Sequence, residues 1–325
     1  MKAKIFVTRK IPQAGLDMLA DRFELEVFPH DRTATKDEIT QGIRGKDGLL
    51  CLLTDNISAD MMDAAPGLKV IANYAVGFNN IDVAAATQRQ IAVTNTPGVL
   101  TETTADLAFA LLMSAARRIV ESDKFTRAGK FEGWAPLLFL GQDIYQKTLG
   151  IVGFGRIGQA MARRASGFDM KVLYYSAHRR PQAEEEKHGV EYRALDDLLR
   201  ESDFISLHVP LVAETRHLIG QREFNLMKSN AILINTARGP VIDENALVEA
   251  LKTGKIAGAG LDVFEREPQI EPELLQLDNV TIAPHIGSAS VATRARMATM
   301  TAENIIAVFD GETPPNLVNK EIAKK

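Results

Sequence analysis

One cysteine stands in 325 residues, Cys51, so the chain cannot form an internal disulfide. It lies in the apolar run from Gly48 to Leu53 and reads as a small buried hydrophobe, not a reactive thiol. Basic blocks are also absent: 38 Lys and Arg are scattered among 42 Asp and Glu, for a net charge of -4. Nucleic acids are held by clustered cations, so no nucleic-acid partner is expected. Long hydrophobic runs are missing too. Ile5-Phe6-Val7 is far too short for the core of a secretion signal, and Leu107 to Ala116 cannot span a bilayer. The chain therefore reads as cytoplasmic, with no membrane partner. No His or carboxylate pair shows spacing of the H-x-x-x-H kind, so no metal is expected.

What is present is the balance of a soluble enzyme, 46% apolar and 25% charged, at a length that suits two domains. Short apolar runs alternate with segments of helical period. In the first half the strand candidates are Lys4–Thr8, Glu24–Phe28, Gly48–Leu53, Lys69–Tyr74 and Ile91–Thr94. Helices are predicted between them, at Gly15–Arg22, Lys36–Ile43, Ala59–Ala64 and Val83–Arg89. A second series starts near residue 147, with strands Thr148–Val152, Lys171–Tyr175, Phe204–Val209, Ala231–Asn235, Ala257–Asp262 and Val280–Ala283. Its helices are Ile157–Ala165, Asp196–Ser202, Arg222–Met227 and Asn245–Lys252. Such alternation implies parallel sheets, because a parallel pair needs a crossover. Six parallel strands are the inventory of a complete dinucleotide fold.

Two longer helical stretches, Thr101–Arg118 and Val291–Phe309, flank the second series. The fold expected is therefore α/β, two doubly wound parallel-sheet domains, a Rossmann coenzyme domain inserted in a flavodoxin-like substrate domain. Residues 1–98 and 286–325 would form the substrate domain and 99–285 the dinucleotide domain. Only the Lys-rich tail looks disordered.

Gly153-Phe154-Gly155-Arg156-Ile157-Gly158 is a G-x-G-x-x-G run between an apolar strand and a helix, the setting that gives this weak motif its meaning. Gly153 would permit the turn, Gly155 the approach of a pyrophosphate, and Gly158 close helix–strand packing. The helix N-terminus would supply free N–H donors. The next strand ends where NAD-specific folds place Asp or Glu for the ribose 2′-hydroxyl, yet here it runs Ser176-Ala177-His178-Arg179-Arg180. A hydroxyl beside two guanidiniums suits a 2′-phosphate, so NADP(H) is expected over NAD(H).

Three polar segments sit at predicted strand ends: Asn235 to Gly239, Asp262 to Pro268, and Ala283 to Ser288. They bring an Arg, a Glu and a His to one sheet edge. Arg238 could bind a carboxylate and orient a carbonyl, His285 could protonate the developing alkoxide, and Glu267 could keep that imidazole charged. His208 ends a strand and reads as lining the cofactor cleft without acid/base work.

On these segments, with Ala259 to Phe264, Gly48 to Leu53 and Val76-Gly77, nearly the whole chain resembles the D-isomer-specific 2-hydroxyacid dehydrogenase family, most closely its glyoxylate/hydroxypyruvate reductase branch. The resemblance implies reduction of a small 2-keto acid to the D-2-hydroxy acid, with Arg238, Glu267 and His285 as catalytic set. It implies that the N–H groups of Val76 and Gly77 hold the substrate carboxylate and that Leu53 and Ser288 line the substrate pocket. Cofactor contacts would fall on Phe154, Gly155, Arg156 and Ile157, on Ser176, Ala177 and His178, and on His208, Val209, Pro210 and Thr215. Thr236, Ala237, Arg238, Asp262, His285, Ile286 and Gly287 complete that set. The family dimerises through its coenzyme domain, here residues 101–147, and Trp134 resembles a residue that reaches the neighbouring subunit's site. A 2-ketogluconate reductase shares these catalytic residues, and short phosphoglycerate dehydrogenases remain open. Formate dehydrogenases carry Gln where Glu267 stands. Corepressors that sense dinucleotides resemble the family as well, but the residues after Phe309 hold no Pro- or Ser-rich extension.

Overall fold

A computed structural model describes residues Lys2 to Ala323. The first strands and helices are β1 (Lys4–Val7), α1 (Gln13–Arg22), β2 (Glu24–Val27), α2 (Lys36–Ile43), β3 (Gly48–Cys51) and α3 (Ala59–Asp63). Then come β4 (Val70–Asn73), α4 (Val83–Gln88), β5 (Ala92–Thr94), α5 (Thr101–Ala116) and α6 (Ile119–Arg127). The chain continues as β6 (Thr148–Val152), α7 (Arg156–Ser166), β7 (Lys171–Tyr175), α8 (Gln182–His188), β8 (Val190–Tyr192) and α9 (Leu195–Glu201). It ends with β9 (Phe204–Leu207), α10 (Gln221–Leu226), β10 (Ile232–Asn235), α11 (Glu244–Lys252), β11 (Gly258–Leu261), β12 (Val280–Ile282) and α12 (Val291–Phe309).

Two compact units result. Unit one is formed by the described residues up to Leu100 together with those from Ser288 onward, and unit two is Thr101–Gly287. Unit one carries a five-stranded sheet in the order β2-β1-β3-β4-β5, every pair parallel. That is the flavodoxin-like order. All four residues of β3 are buried, because the sheet is covered on both faces. Leu49 and Cys51 join one core and Leu50 the other.

Unit two carries seven parallel strands, β12-β11-β10-β9-β6-β7-β8, not the six expected. The extra strand is β8, a three-residue edge pairing Val172 with Val190. Ile232 and Ile234 pack into one core of this unit and Leu233 into the other. Helices α6 and α8 were also not expected. Arg118, in the left-handed conformation at φ 54°, ends the predicted Thr101–Arg118 helix, and α6 then starts with no buried residue. The tail is a further correction as far as it is described. Lys320–Ile322 forms a 3₁₀ turn behind Asn319, whose side chain is bonded to Val93 N and Ile91 O. Lys324 and Lys325 lie outside the described residues. Among those described, no helix is long and apolar enough to cross a membrane.

Candidate active site

Strand order in unit two reverses between β6 and β9, and the crevice at such a reversal is where open α/β sheets take ligands. The glycine run leaves β6 at this point. Gly153 has φ +101°, and a Cβ there would lie 2.6 Å from the His208 carbonyl carbon, so only glycine fits. A Cβ on Gly158 would sit 2.3 Å from the Gly153 oxygen, which fixes how closely α7 packs on β6. Gly155 is the N-cap of α7, with no side chain capping the helix and nothing within 4 Å of a Cβ added there. Uncapped N–H groups facing open space are the cradle that a pyrophosphate requires, so the residues present fit a dinucleotide.

The rim of this cradle departs from expectation at one arginine. Ser176 is half-buried, and Ala177, His178 and Arg179 are exposed. Arg179 is not a free cation: its Nε and Nη2 donate to Glu185 at 2.8 and 2.9 Å. Arg180 instead donates Nη2 to the Phe154 carbonyl at 3.0 Å. His208 places Nε2 2.9 Å from Ser206 Oγ, and burial pushes its imidazole down to about 4, so it is neutral at pH 7. Thr215 ties its own turn, donating Oγ1 to Pro210 O at 2.6 Å and accepting from Val212 N. Thr236 has a buried hydroxyl without a hydrogen-bond partner among the described residues.

At the ends of β10, β11 and β12 the structure brings together the three predicted catalytic residues. His285 Nδ1 donates to Glu267 Oε2 at 2.8 Å, with the two side chains 25% and 30% exposed. Burial opposes charge on Glu267. The bond and charge of His285, the Phe264 N–H at 3.0 Å and the Arg238 charge outweigh it and hold the carboxyl below its ordinary value. Arg238 is pulled below the usual guanidinium range, chiefly by burial against the opposing pull of Glu267. The Arg238 loop is braced by Asn235, whose Nδ2 donates to Arg238 O while its Oδ1 accepts Ala237 N–H, both at 3.0 Å.

His285 has φ 56°, a left-handed conformation that costs a non-glycine residue on the order of 1 kcal/mol or more. Asp262 enforces it. Its backbone oxygen accepts His285 N–H at 3.0 Å, and its carboxylate accepts Ile286 N–H at 2.7 Å and Gly287 N–H at 2.8 Å. Asp262 is only 1% exposed, so its carboxylate serves the turn from inside the protein.

A family model described as "D-isomer specific 2-hydroxyacid dehydrogenase, NAD binding domain" matches residues 109–287. The chain belongs to this family. It is an oxidoreductase, and unit two binds a nicotinamide dinucleotide. Glyoxylate reductase of Korarchaeum cryptofilum is 57% identical over 327 residues, covering 100% of this chain and 98% of the relative. Glyoxylate reductase of Thermococcus litoralis is 56% identical over 326 residues, 99% of this chain and 98% of the relative. Among solved structures, an NADPH-dependent glyoxylate/hydroxypyruvate reductase from Sinorhizobium meliloti, in complex with NADP and malonate, is similar at a TM-score of 0.87. Its identity is 34%, over 100% of this chain and 99% of that one.

In this dehydrogenase, unit one places Leu53, Val76 and Gly77 beyond the ends of β3 and β4, half-buried. The carbonyls of Val76 and Gly77 are each held by a side-chain amide, from Asn95 and Asn73 at 2.7 Å. Neither N–H donates to an acceptor among the described residues. Asn80 extends the brace, donating Nδ2 to Leu52 O and Asp55 O at 3.0 Å. Ser288 opens the C-terminal segment of unit one, its carbonyl bonded by Ser290 N and Arg294 Nε. The reading from sequence missed these asparagines, and also Glu244, 5% exposed, which accepts the N–H groups of Glu265 and Glu271. The Asp243-Glu244 pair opening a helix was the available signal. Trp134 is 86% exposed within unit two.

Proposed function

We propose that the protein reduces a small 2-keto acid, glyoxylate or hydroxypyruvate, to the D-2-hydroxy acid, with NADP(H) preferred over NAD(H). The observation that carries this is the 2.8 Å His285–Glu267 pair beside the Arg238 loop, an acid, its charge partner and an anion clamp at one sheet edge. The bound nicotinamide would supply the hydride. Gly153, Phe154, Gly155, Arg156, Ile157 and Gly158 would hold its pyrophosphate, with Ser176 and the following loop at the adenosine ribose.

His285 Nδ1–H points at Glu267, which leaves Nε2–H to give its proton to the carbonyl oxygen as negative charge develops there. Glu267 stabilises the imidazolium before that transfer. Arg238, poorly hydrated in its half-buried site, would bind the substrate carboxylate and orient the carbonyl; a guanidinium does this better than an ammonium because its donors form a planar fork. In unit one, the N–H groups of Val76 and Gly77, which meet no acceptor among the described residues, would bind a carboxylate, with Leu53 beside them.

The relatives named glyoxylate reductase support the substrate class. For coenzyme choice the support is the missing carboxylate at Ser176 and a nearby guanidinium. The arm formed by residues 101–147 would pair two copies of the chain: Ile119, Phe131, Trp134, Leu137, Leu140 and Tyr145 are each more than half exposed there. The test is steady-state kinetics with NADPH on glyoxylate, hydroxypyruvate and 2-ketogluconate in parallel. The highest kcat/KM should fall on one of the first two. A clear preference for 2-ketogluconate would replace the substrate assignment, and no turnover of any would remove it.

A further inference from the structure

Two adjacent arginines follow β7, and the hydrogen bonds around them are unequal. Tyr174, on β7, is 0% exposed, and its hydroxyl is a hub. It donates to Glu185 Oε1 at 2.7 Å and accepts the Arg180 N–H at 2.8 Å. Glu185, on α8 and also buried, takes both Arg179 donors. Arg179 lies over the Tyr192 ring as well, 5.5 Å from its centroid. Arg180 has no carboxylate within 4.0 Å among the described residues, and its buried Nε has no acceptor. Its Nη2 reaches the Phe154 carbonyl, so its charge lies against the glycine run itself. The Phe154 ring in turn packs on Tyr174, centroids 4.5 Å apart.

A buried hydroxyl and carboxylate cost desolvation that apolar side chains of similar shape would not incur. Their use here is geometric. The hub fixes the backbone at Arg180, anchors one arginine and leaves the other uncompensated beside the cradle. We propose that Tyr174 and Glu185 are positioning residues for coenzyme choice, tethering Arg179 and holding Arg180 as the cation that meets the 2′-phosphate of NADP(H). This rests on the NADP(H) preference proposed above. Arg179 and Tyr174 hold the Glu185 carboxyl near 2, so the tether is ionised across the working pH range.

Calorimetric titration with adenosine 2′,5′-bisphosphate and with AMP tests this without turnover, since the two probes differ only by the 2′-phosphate. The unmutated protein should bind the bisphosphate at least tenfold more tightly, the size of one charge-assisted contact. Arg180→Met should abolish that ratio, and Arg179→Met should change it less than twofold. Tyr174→Phe, which keeps the ring, should lower the ratio about fivefold with AMP affinity unchanged, and Glu185→Gln should act in the same direction. If the unmutated protein shows no preference, the NADP(H) reading itself falls. If the preference exists but survives both Tyr174→Phe and Glu185→Gln, only the positioning role falls. Equal losses for AMP and bisphosphate in these two variants, or a ratio abolished by Arg179→Met, also overturn it.

Discussion

Replacing Glu267 by Gln probes the catalytic pair with little change of shape. In the structure this carboxylate accepts His285 Nδ1–H at 2.8 Å and is less than one-third exposed, so its charge is only partly screened by water. A hydrogen bond to a charged partner contributes roughly 1.5–3 kcal/mol, whereas a neutral amide retains about 1 kcal/mol of such a bond. The loss of imidazolium stabilisation is then about 0.5–2 kcal/mol, or roughly two- to thirtyfold in the rate of keto-acid reduction at neutral pH and above, at 1.4 kcal/mol per factor of ten. The pH dependence gives the sharper signature. The folded protein holds the Glu267 carboxyl below its ordinary value of 4.5, so the benefit of the charge is present at and above that pH. It is lost only as pH falls through the lowered value. The carboxylate therefore stays ionised between pH 8 and pH 5, and its support of the imidazolium counts most where an unpartnered imidazole would be neutral, so the ratio of unmutated to Gln activity should be largest near pH 8 and shrink towards pH 5. Measured kcat with saturating coenzyme across that range decides the matter. A ratio near one at pH 8, or one that stays constant from pH 8 to pH 5, would refute the ion-pair reasoning and leave Glu267 a structural brace for Phe264.

Three further outcomes follow from the same contacts. Arg238→Lys should lower kcat/KM for keto acids by about a hundredfold with melting temperature little changed, because an ammonium cannot reproduce the guanidinium fork; retention of most of the efficiency would assign the clamp elsewhere. Asp262→Asn replaces one acceptor oxygen by an amide, leaving either the Ile286 or the Gly287 N–H unpaired. Denaturant unfolding should show a loss of about 1–3 kcal/mol, and kcat should fall as the His285 turn loosens. If the proposed arm pairs two copies, Leu137→Asp with Leu140→Asp should halve the mass found by light scattering, and an unchanged mass would remove residues 101–147 as a pairing surface.

Much of the site was legible because it follows strand ends. Apolar runs such as Ile232 to Ile234 mark strands buried on both faces, and the first polar residues beyond them must emerge at the sheet edge. That logic brings Arg238, Glu267 and His285 to one edge from the sequence alone. It cannot show which buried group enforces a turn. Asp262 reads as one more polar residue after a strand, and its role depends on the N–H groups of Ile286 and Gly287, more than twenty residues away.

The same limit explains the unequal arginines. In sequence Arg179 and Arg180 are interchangeable cations beside Ser176. What separates them is Glu185, six residues beyond Arg179 on a helix whose sequence, Gln-Ala-Glu-Glu-Glu-Lys-His, has no apolar stripe to announce it. Pro181 before it and Gly189 after it, the latter left-handed at φ 62°, were the only local marks of its ends. The partner strand β8 is equally quiet, three residues of which one is buried. A buried carboxylate on a polar helix is invisible to periodicity, because its burial comes from Tyr174 beneath it, not from its own neighbours in the chain. In the proposed reading, coenzyme choice turns on a contact between β7 and α8, and the pair of residues that makes it carries no motif.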